Sequence, residues 1–174
     1  MSLAEKLAQA GFKPEASTEG EWTPYNGTYR CSWKTLRVEH DEKNQSNFVQ
    51  AEWEIEEVLT GDMKRESKYP AFRKRFYLDF DDPTEDQVNN AKDLANMVFT
   101  ATGLELDYTD QQHFIAVAEK VIGQDVYIRS WGWTPDKDVK GNILSEDQKK
   151  TIQQFRVMKK AVAEKKRSTQ SVAF

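Results

Sequence analysis

The sequence predicts a mainly β protein of five strands, with a helix or helix pair inserted between the third and the fourth. Three observations predict it. Apolar residues recur at period two in separate stretches near residues 27–38, 49–55, 72–80 and 125–133, and a fifth strand covers about 151–158. Between the third and fourth stretches the period changes to that of a helix, twice. Pro, Gly and Asx residues cluster at the boundaries, where turns need them.

Residues 2–10 form a short helix in this reading. Ser2 and Glu5 have capping-box spacing, Leu3 and Leu7 lie four apart, and Gly11 ends it. Residues 13–26, with Pro14, Gly20 and Pro24, are an extended arm or loop. In the first strand Tyr29, Cys31 and Trp33 share a face, and then Leu36 and Val38 fall on the opposite phase. Such a slip marks a bulge, which bends a strand. After a turn at 40–47, Val49, Ala51, Trp53 and Ile55 alternate with Gln50, Glu52, Glu54 and Glu56. Beyond the 60–70 loop, Phe72, Phe76 and Leu78 face inward and Arg73, Arg75 and Tyr77 outward.

The first inserted helix starts at Asp82-Pro83, with Asp82 as N-cap, carries Val88, Ala91, Leu94, Ala95, Val98 and Phe99, and stops at Gly103. The second, 110–122, is capped by Asp110 and stopped by Gly123. In the fourth strand Val126 and Ile128 point one way, and Tyr127, Arg129, Trp131 and Trp133 the other. A long polar loop, 134–150, joins it to the fifth strand. The basic tail, 159–174, is expected to be poorly ordered. A bent first strand and a helix between strands three and four is the order of a five-stranded OB-type barrel. The rival is a generic α+β sheet with the same order. The domain layout is an N-terminal helix and arm (1–23), the barrel (24–158) and the tail (159–174).

Composition excludes several classes. No run approaches the ~18 apolar residues of a membrane span. The N-terminus is too short and too charged for a secretory signal, so the expected location is cytoplasmic. One cysteine, Cys31, leaves no disulfide framework and no cysteine zinc site, and His40 and His113 are the only histidines. The charge, −4 from 25 basic and 29 acidic residues, hides a segregation. Acids gather at 39–57 and 79–93, bases at 64–75 and 149–167.

Two constellations carry the functional reading. On strand four, Tyr127, Trp131 and Trp133 with Arg129 form a platform for base stacking, unless that face fills the core. In 64–77, Lys64, Arg65, Lys68, Arg73, Lys74 and Arg75 interleave with Tyr69, Phe72, Phe76 and Tyr77. Cations beside rings suit a single strand, with phosphates on one and bases on the other. The competing account pairs Arg73 and Arg75 with Glu52, Glu54 and Glu56 across the sheet. The acids Asp79, Asp81, Asp82, Glu85 and Asp86 suit a helix start better than a Mg²⁺ site for a nuclease. His113 and Cys31 read as surface and packing residues. No phosphate-cradling Gly loop or nucleophile elbow is present.

The segments PYNGTYRCSWKTLRVEH, FVQAEWEIEEVLTGD, FRKRFYLDF, the helix ending ATG, DVYIRSWGW and QFRVM together resemble the OB-fold single-stranded-DNA-binding proteins of tailed bacteriophages, over residues 24–158. The resemblance implies sequence-tolerant binding in phage replication or recombination inside the bacterial host cell, without catalysis, metal or cofactor. It implies stacking on Trp131 and Trp133 and phosphate contacts from Arg73, Arg75 and Arg129. Members often end in an acidic stretch and a Phe that recruits partners. Phe174 is terminal here, but basic or neutral residues precede it, a departure that bears on recruiting replication or recombination proteins through this tail.

The expected DNA-binding set is therefore Trp33, Lys64, Lys68, Arg73, Arg75, Tyr77, Tyr127, Arg129, Trp131, Trp133, Lys137 and Lys140. Stacking does not read the 2′-hydroxyl, so RNA stays open beside DNA. Oligomerisation is also left open. The alternative is an interaction or accessory module whose aromatic face meets a protein.

Overall fold

The computed structural model of the chain describes residues 1–16, 27–61, 71–133, 136–149 and 152–163, without the side chains of 131–133 and 152–153. Five antiparallel strands form one sheet: β1 (Gly27–Asp41), β2 (Ser46–Gly61), β3 (Phe72–Tyr77), β4 (Asp125–Trp133) and β5 (Ile152–Met158). Helices α1 (Leu3–Gln9), α2 (Glu85–Thr102) and α3 (Gln111–Val121) complete it. Thus a helix pair separates β3 from β4, and the period-two and helical stretches of the sequence lie in their expected elements.

The sheet order is β3-β2-β1-β4-β5, which puts β3 and β5 at opposite edges. In a flat sheet four strand spacings would hold them about 19 Å apart. Yet the rings of Phe72 on β3 and Phe155 on β5 lie 5.2 Å apart. The sheet is therefore rolled, and aromatic side chains span its seam. No strand ladder joins the two edges among the described residues, so the sheet is not closed into a barrel. The roll has local causes. The β1–β2 register shifts between Thr28 and Tyr29, Arg30 and Cys31, and Trp33 and Thr35. The last shift is the bulge that the phase slip in the sequence predicts, and bulges bend strands and add twist. The β1–β2 hairpin is longer than expected. Both strands reach into the expected turn at 40–47, leaving Glu42–Gln45, where Gln45 has a φ of 50°.

The core lies inside the roll. Trp33 and Trp53 meet at 4.8 Å with their rings tilted by 59°, Phe155 meets Trp53 at 5.3 Å, and Tyr29 meets Phe72 at 5.6 Å. The Gly-x-Tyr of β1 has a packing reason: a β-carbon at Gly27 would stand 2.3 Å from the Tyr29 hydroxyl. Val49, Ala51, Ile55, Phe76, Leu78, Val126 and Ile128 fill the same core, as their period predicts. α2 adds Ala91, Leu94, Ala95 and Val98, and α3 adds Phe114, Ala118 and Val121. Phe80, Tyr108 and Phe114 form an aromatic triad between them, and the Tyr108 hydroxyl donates to the Ala91 carbonyl at 2.7 Å.

The Ser2–Glu5 capping box of α1 forms as expected, and Leu3 and Leu7 enter the main core. α2 begins later than predicted. Its N-cap is Thr84, because Thr84 and Gln87 satisfy each other's amides in a capping box, which Asp82, two residues upstream, does not reach. Gly103 ends the helix with a φ of 74°. The tail also departs from expectation. Residues 160–163 form a helical turn, and Ala163 is fully buried.

Asp110 caps α3 by accepting from the His113 amide at 2.9 Å, and His113 Nδ1 lies 2.8 Å from the same carboxylate. The amide bond and the ring hold Asp110 below the usual carboxylate range. The hydrogen bond to Asp110, and then its charge, raise His113 above the ordinary value of 6.5. Asp110→Ala should lower the midpoint of urea unfolding, because it removes the N-cap acceptor of α3. The sign of the pH dependence follows. The raised His113 stabilises below its unfolded pKa and loses that effect as pH rises through its folded value. The lowered Asp110 stabilises above its unfolded pKa and loses that effect as pH falls. The measured cost of Asp110→Ala should thus be larger near pH 5–6 than at about pH 8. An equal cost at both would show that the imidazolium contributes nothing.

Candidate nucleic-acid interface

β3 is an edge strand of sequence FRKRFY, and three consecutive cations on it, Arg73, Lys74 and Arg75, are exposed. By register they stand opposite Glu52, Ala51 and Gln50 of β2. Arg75 Nε donates to Gln50 Oε1 at 3.1 Å, a neutral partner that leaves its charge uncompensated. Its guanidinium lies 4.6 Å from the centre of the Phe48 ring, and that ring meets Tyr77 at 5.4 Å. Lys74 Nζ lies 5.0 Å from the Phe76 ring. Tyr77 is half-buried, and its hydroxyl donates to Asp41 Oδ2 at 3.4 Å. Phe48 breaks the phase of its strand: it is buried beneath Arg75 and Tyr77, on the face opposite Val49. Sequence reasoning missed it. Its signal was a large aromatic next to Val49, one residue before the inward series began.

Of the glutamates expected to neutralise β3, Glu54 and Glu56 are engaged elsewhere, and Glu52 stands opposite Arg73 in register without forming an ion pair with it. The Trp33–Thr35 bulge leaves Lys34 as the extra residue of β1, and Lys34 Nζ reaches Glu54 at 3.1 Å and Glu56 at 3.9 Å. Arg30 holds Glu57 and Asp125, each at 3.4 Å. Among the described residues none of Arg73, Lys74 and Arg75 makes an ion pair. β1 thus takes up Glu54, Glu56 and Glu57 of β2.

Strand four has the two faces that the alternation predicts, but its outward face is covered where it is described. Val126 and Ile128 lie in the main core, and Tyr127 lies in a second apolar cluster with Met158 and Ala163, flanked by Leu59 and Val162. The helical turn at 160–163 closes over this side of the sheet. Tyr127 is therefore only 8% exposed and Arg129 only 2%, which corrects the expectation of an open platform at these two positions. Arg129 stands in register between Thr28 on β1 and Arg156 on β5. Trp33 also departs from its expected role: it is fully buried against Trp53 and presents no face to a base.

Trp131 and Trp133 pair through their backbones with Gln154 and Ile152. Their side chains, and the whole of Lys64 and Lys68, fall outside the described residues. Lys137 and Lys140 are exposed on the β4–β5 loop, away from the β3 cations in sequence. A cleft of about 410 Å³ opens beside Tyr127, lined also by Thr100, Gln124, Asp125, Met158 and Lys160.

Burial pushes the Cys31 thiol well above its ordinary value, so it stays protonated and packs as a small apolar group. In the 79–86 segment Asp79 Oδ1 accepts from the Asp81 amide at 3.1 Å. Among the described residues no group of three or more His, Cys, Asp or Glu side chains is placed to hold a metal ion. Among them, too, no helix is long and apolar enough to cross a membrane. Comparison with protein-family models and with curated proteins finds no match for the chain.

Proposed function

We propose that this chain binds single-stranded DNA without catalysis and with little dependence on base sequence, on an OB-type barrel whose β3–β5 seam is bridged by aromatic side chains, and that it serves phage replication or recombination in the bacterial cytoplasm. The observation that carries the reading is the run Arg73-Lys74-Arg75, exposed on an edge strand beside aromatic rings and without an acidic partner among the described residues. Residues two apart on a strand lie about 6.7 Å from one another, so Arg73 and Arg75 suit successive phosphates of an extended strand. A sheet face bearing cations and the half-buried ring of Tyr77 accepts any base sequence, because every base has an apolar face. Trp131, Trp133 and the loop lysines 64, 68, 137 and 140 extend the surface in this reading. Trp33, Tyr127 and Arg129 support it from inside.

The test is a titration with a labelled homopolymeric deoxyribonucleotide at low and at moderate salt, with a ribonucleotide of the same length in parallel. Binding should weaken steeply as salt rises. Equal affinity for the two would assign the site to single strands in general, and tighter ribonucleotide binding would move the function to RNA. Absence of binding at low salt would remove the proposal and favour the protein-interaction alternative.

A further inference from the structure

The arginines of β3 belong to a wider face. Directly opposite residues of antiparallel strands project to the same side of a sheet. The β1–β2 and β2–β3 registers therefore set three rows side by side: Glu39, Phe48 and Tyr77; Arg37, Gln50 and Arg75; Thr35, Glu52 and Arg73. Contacts within and between the rows agree. Arg75 donates to Gln50, and its guanidinium lies against the Phe48 ring, which meets Tyr77. The face is thus three strands wide, and β1 completes it with a third arginine.

The Arg37 side chain is 61% exposed. Its Nε donates to Glu39 Oε1, two residues along the same strand and so on the same face. Among the described residues no other hydrogen bond or ion pair engages it, and its two Nη groups are left for a ligand. An ion pair this exposed gains little in water, so a phosphate can take the place of the carboxylate. Arg37 and Arg75 stand two strand spacings apart, about 10 Å, with the buried Gln50 between them. Tyr77 lies in the next row, so a single strand with a base on that ring has a guanidinium on either side. Three acids border the arrangement. Glu52 stands in the far row opposite Arg73, and Asp41 accepts from the Tyr77 hydroxyl and from the turn amides of Lys43 and Asn44. Glu39 alone holds an arginine of this face.

We propose, on the basis of the nucleic-acid binding argued above, that Arg37 is a further phosphate-binding residue and that Glu39 is its brake: in the unbound chain the carboxylate holds the guanidinium, and a phosphate of the bound strand displaces it. The site then spans β1 to β3 instead of following the β3 edge alone.

A double-mutant cycle tests this, read by titrating a labelled homopolymeric deoxyribonucleotide over a salt series. R37Q should weaken binding about 3- to 10-fold at low salt and lower the salt slope by about 0.7, the share of one phosphate. E39Q should strengthen binding by a similar factor. Removing any acid near the site strengthens binding through the field alone, and E42Q measures that effect, because Glu42 is exposed on the hairpin tip and makes no ion pair among the described residues. In R37Q/E39Q the gain from E39Q should shrink to that of E42Q. Unchanged thermal unfolding of each variant confirms an intact fold. An R37Q variant with the affinity and slope of the wild type would overturn the inference. So would an E39Q gain no larger than that of E42Q, or one as large without Arg37 as with it. If substituting the β3 cations lowers the slope and R37Q does not, Arg37 alone leaves the site and the nucleic-acid reading stands. If the wild-type chain binds no oligonucleotide at low salt, both fall.

Discussion

Replacing Arg73, Lys74 and Arg75 together by glutamine should weaken binding of a homopolymeric oligonucleotide about 30- to 100-fold at low salt and reduce the salt slope by about 2. The slope is the sharper readout. On single strands each neutralised phosphate contributes about 0.7 to it, so three lost contacts remove roughly 2. The substitutions lie on exposed positions of an edge strand, where stability changes stay within about 0.5 kcal/mol per site. Arg75→Gln also uncovers part of the Phe48 ring, which lies 4.6 Å beneath the guanidinium; that affects stability and leaves the slope alone. An unchanged slope would show that phosphates do not follow β3. Substituting Lys137 and Lys140 instead separates the β4–β5 loop from the strand as the source of any remaining salt dependence.

Trp33→Ala should cost about 3–5 kcal/mol of folding stability, read as a fall in the denaturant midpoint at unchanged slope. Trp33 is fully buried, its ring 4.8 Å from Trp53, in the aromatic core inside the rolled sheet. Trp33→Phe should cost much less. It keeps an aromatic ring in place, and the Trp33 indole nitrogen finds no hydrogen-bond partner among the described residues. That milder variant also tests the interface. Trp33 and Trp53 are inside, so quenching by an oligonucleotide should survive in Trp33→Phe. It should instead be lost on substituting Trp131 or Trp133, each with about 1–3 kcal/mol of binding if its ring stacks. Quenching that disappears with Trp33→Phe would return that residue to the interface.

Much of the fold was legible along the chain. Period two marked the first four strands, and the slip between Trp33 and Leu36 corresponds to the register shift at Trp33–Thr35. Capping spacing marked the starts of α1 and α3, and Gly103 the end of α2. The cap of α2 was misread because Asp82-Pro83 and Thr84-x-x-Gln87 are both sound start signals two residues apart. Only the reciprocal hydrogen bonds distinguish them. The alternation of strand four separated Val126 and Ile128 from Tyr127 and Arg129 correctly, but it carries no information on what lies over each face. The cover over Tyr127 comes from residues 160–163, which the basic composition of the tail made look like solvent-exposed chain.

The sequence by itself determined the kinds of element, their order and the inward series of the first four strands, because periodicity and capping act over a few residues. The tertiary structure decided which charges are left unpaired and which rings are covered. Glu54, Glu56 and Glu57 follow the stretch of β2 that β3 pairs with, and the chain alone does not say where that pairing ends. The bulge and the register of β1 give them to Lys34 and Arg30, and β3 keeps its cations exposed. Likewise a rolled sheet, and not any local pattern, brings Phe72 against Phe155 and draws Trp33 out of reach of a ligand. Such outcomes depend on which distant segments become neighbours, and that is a property of the packed molecule.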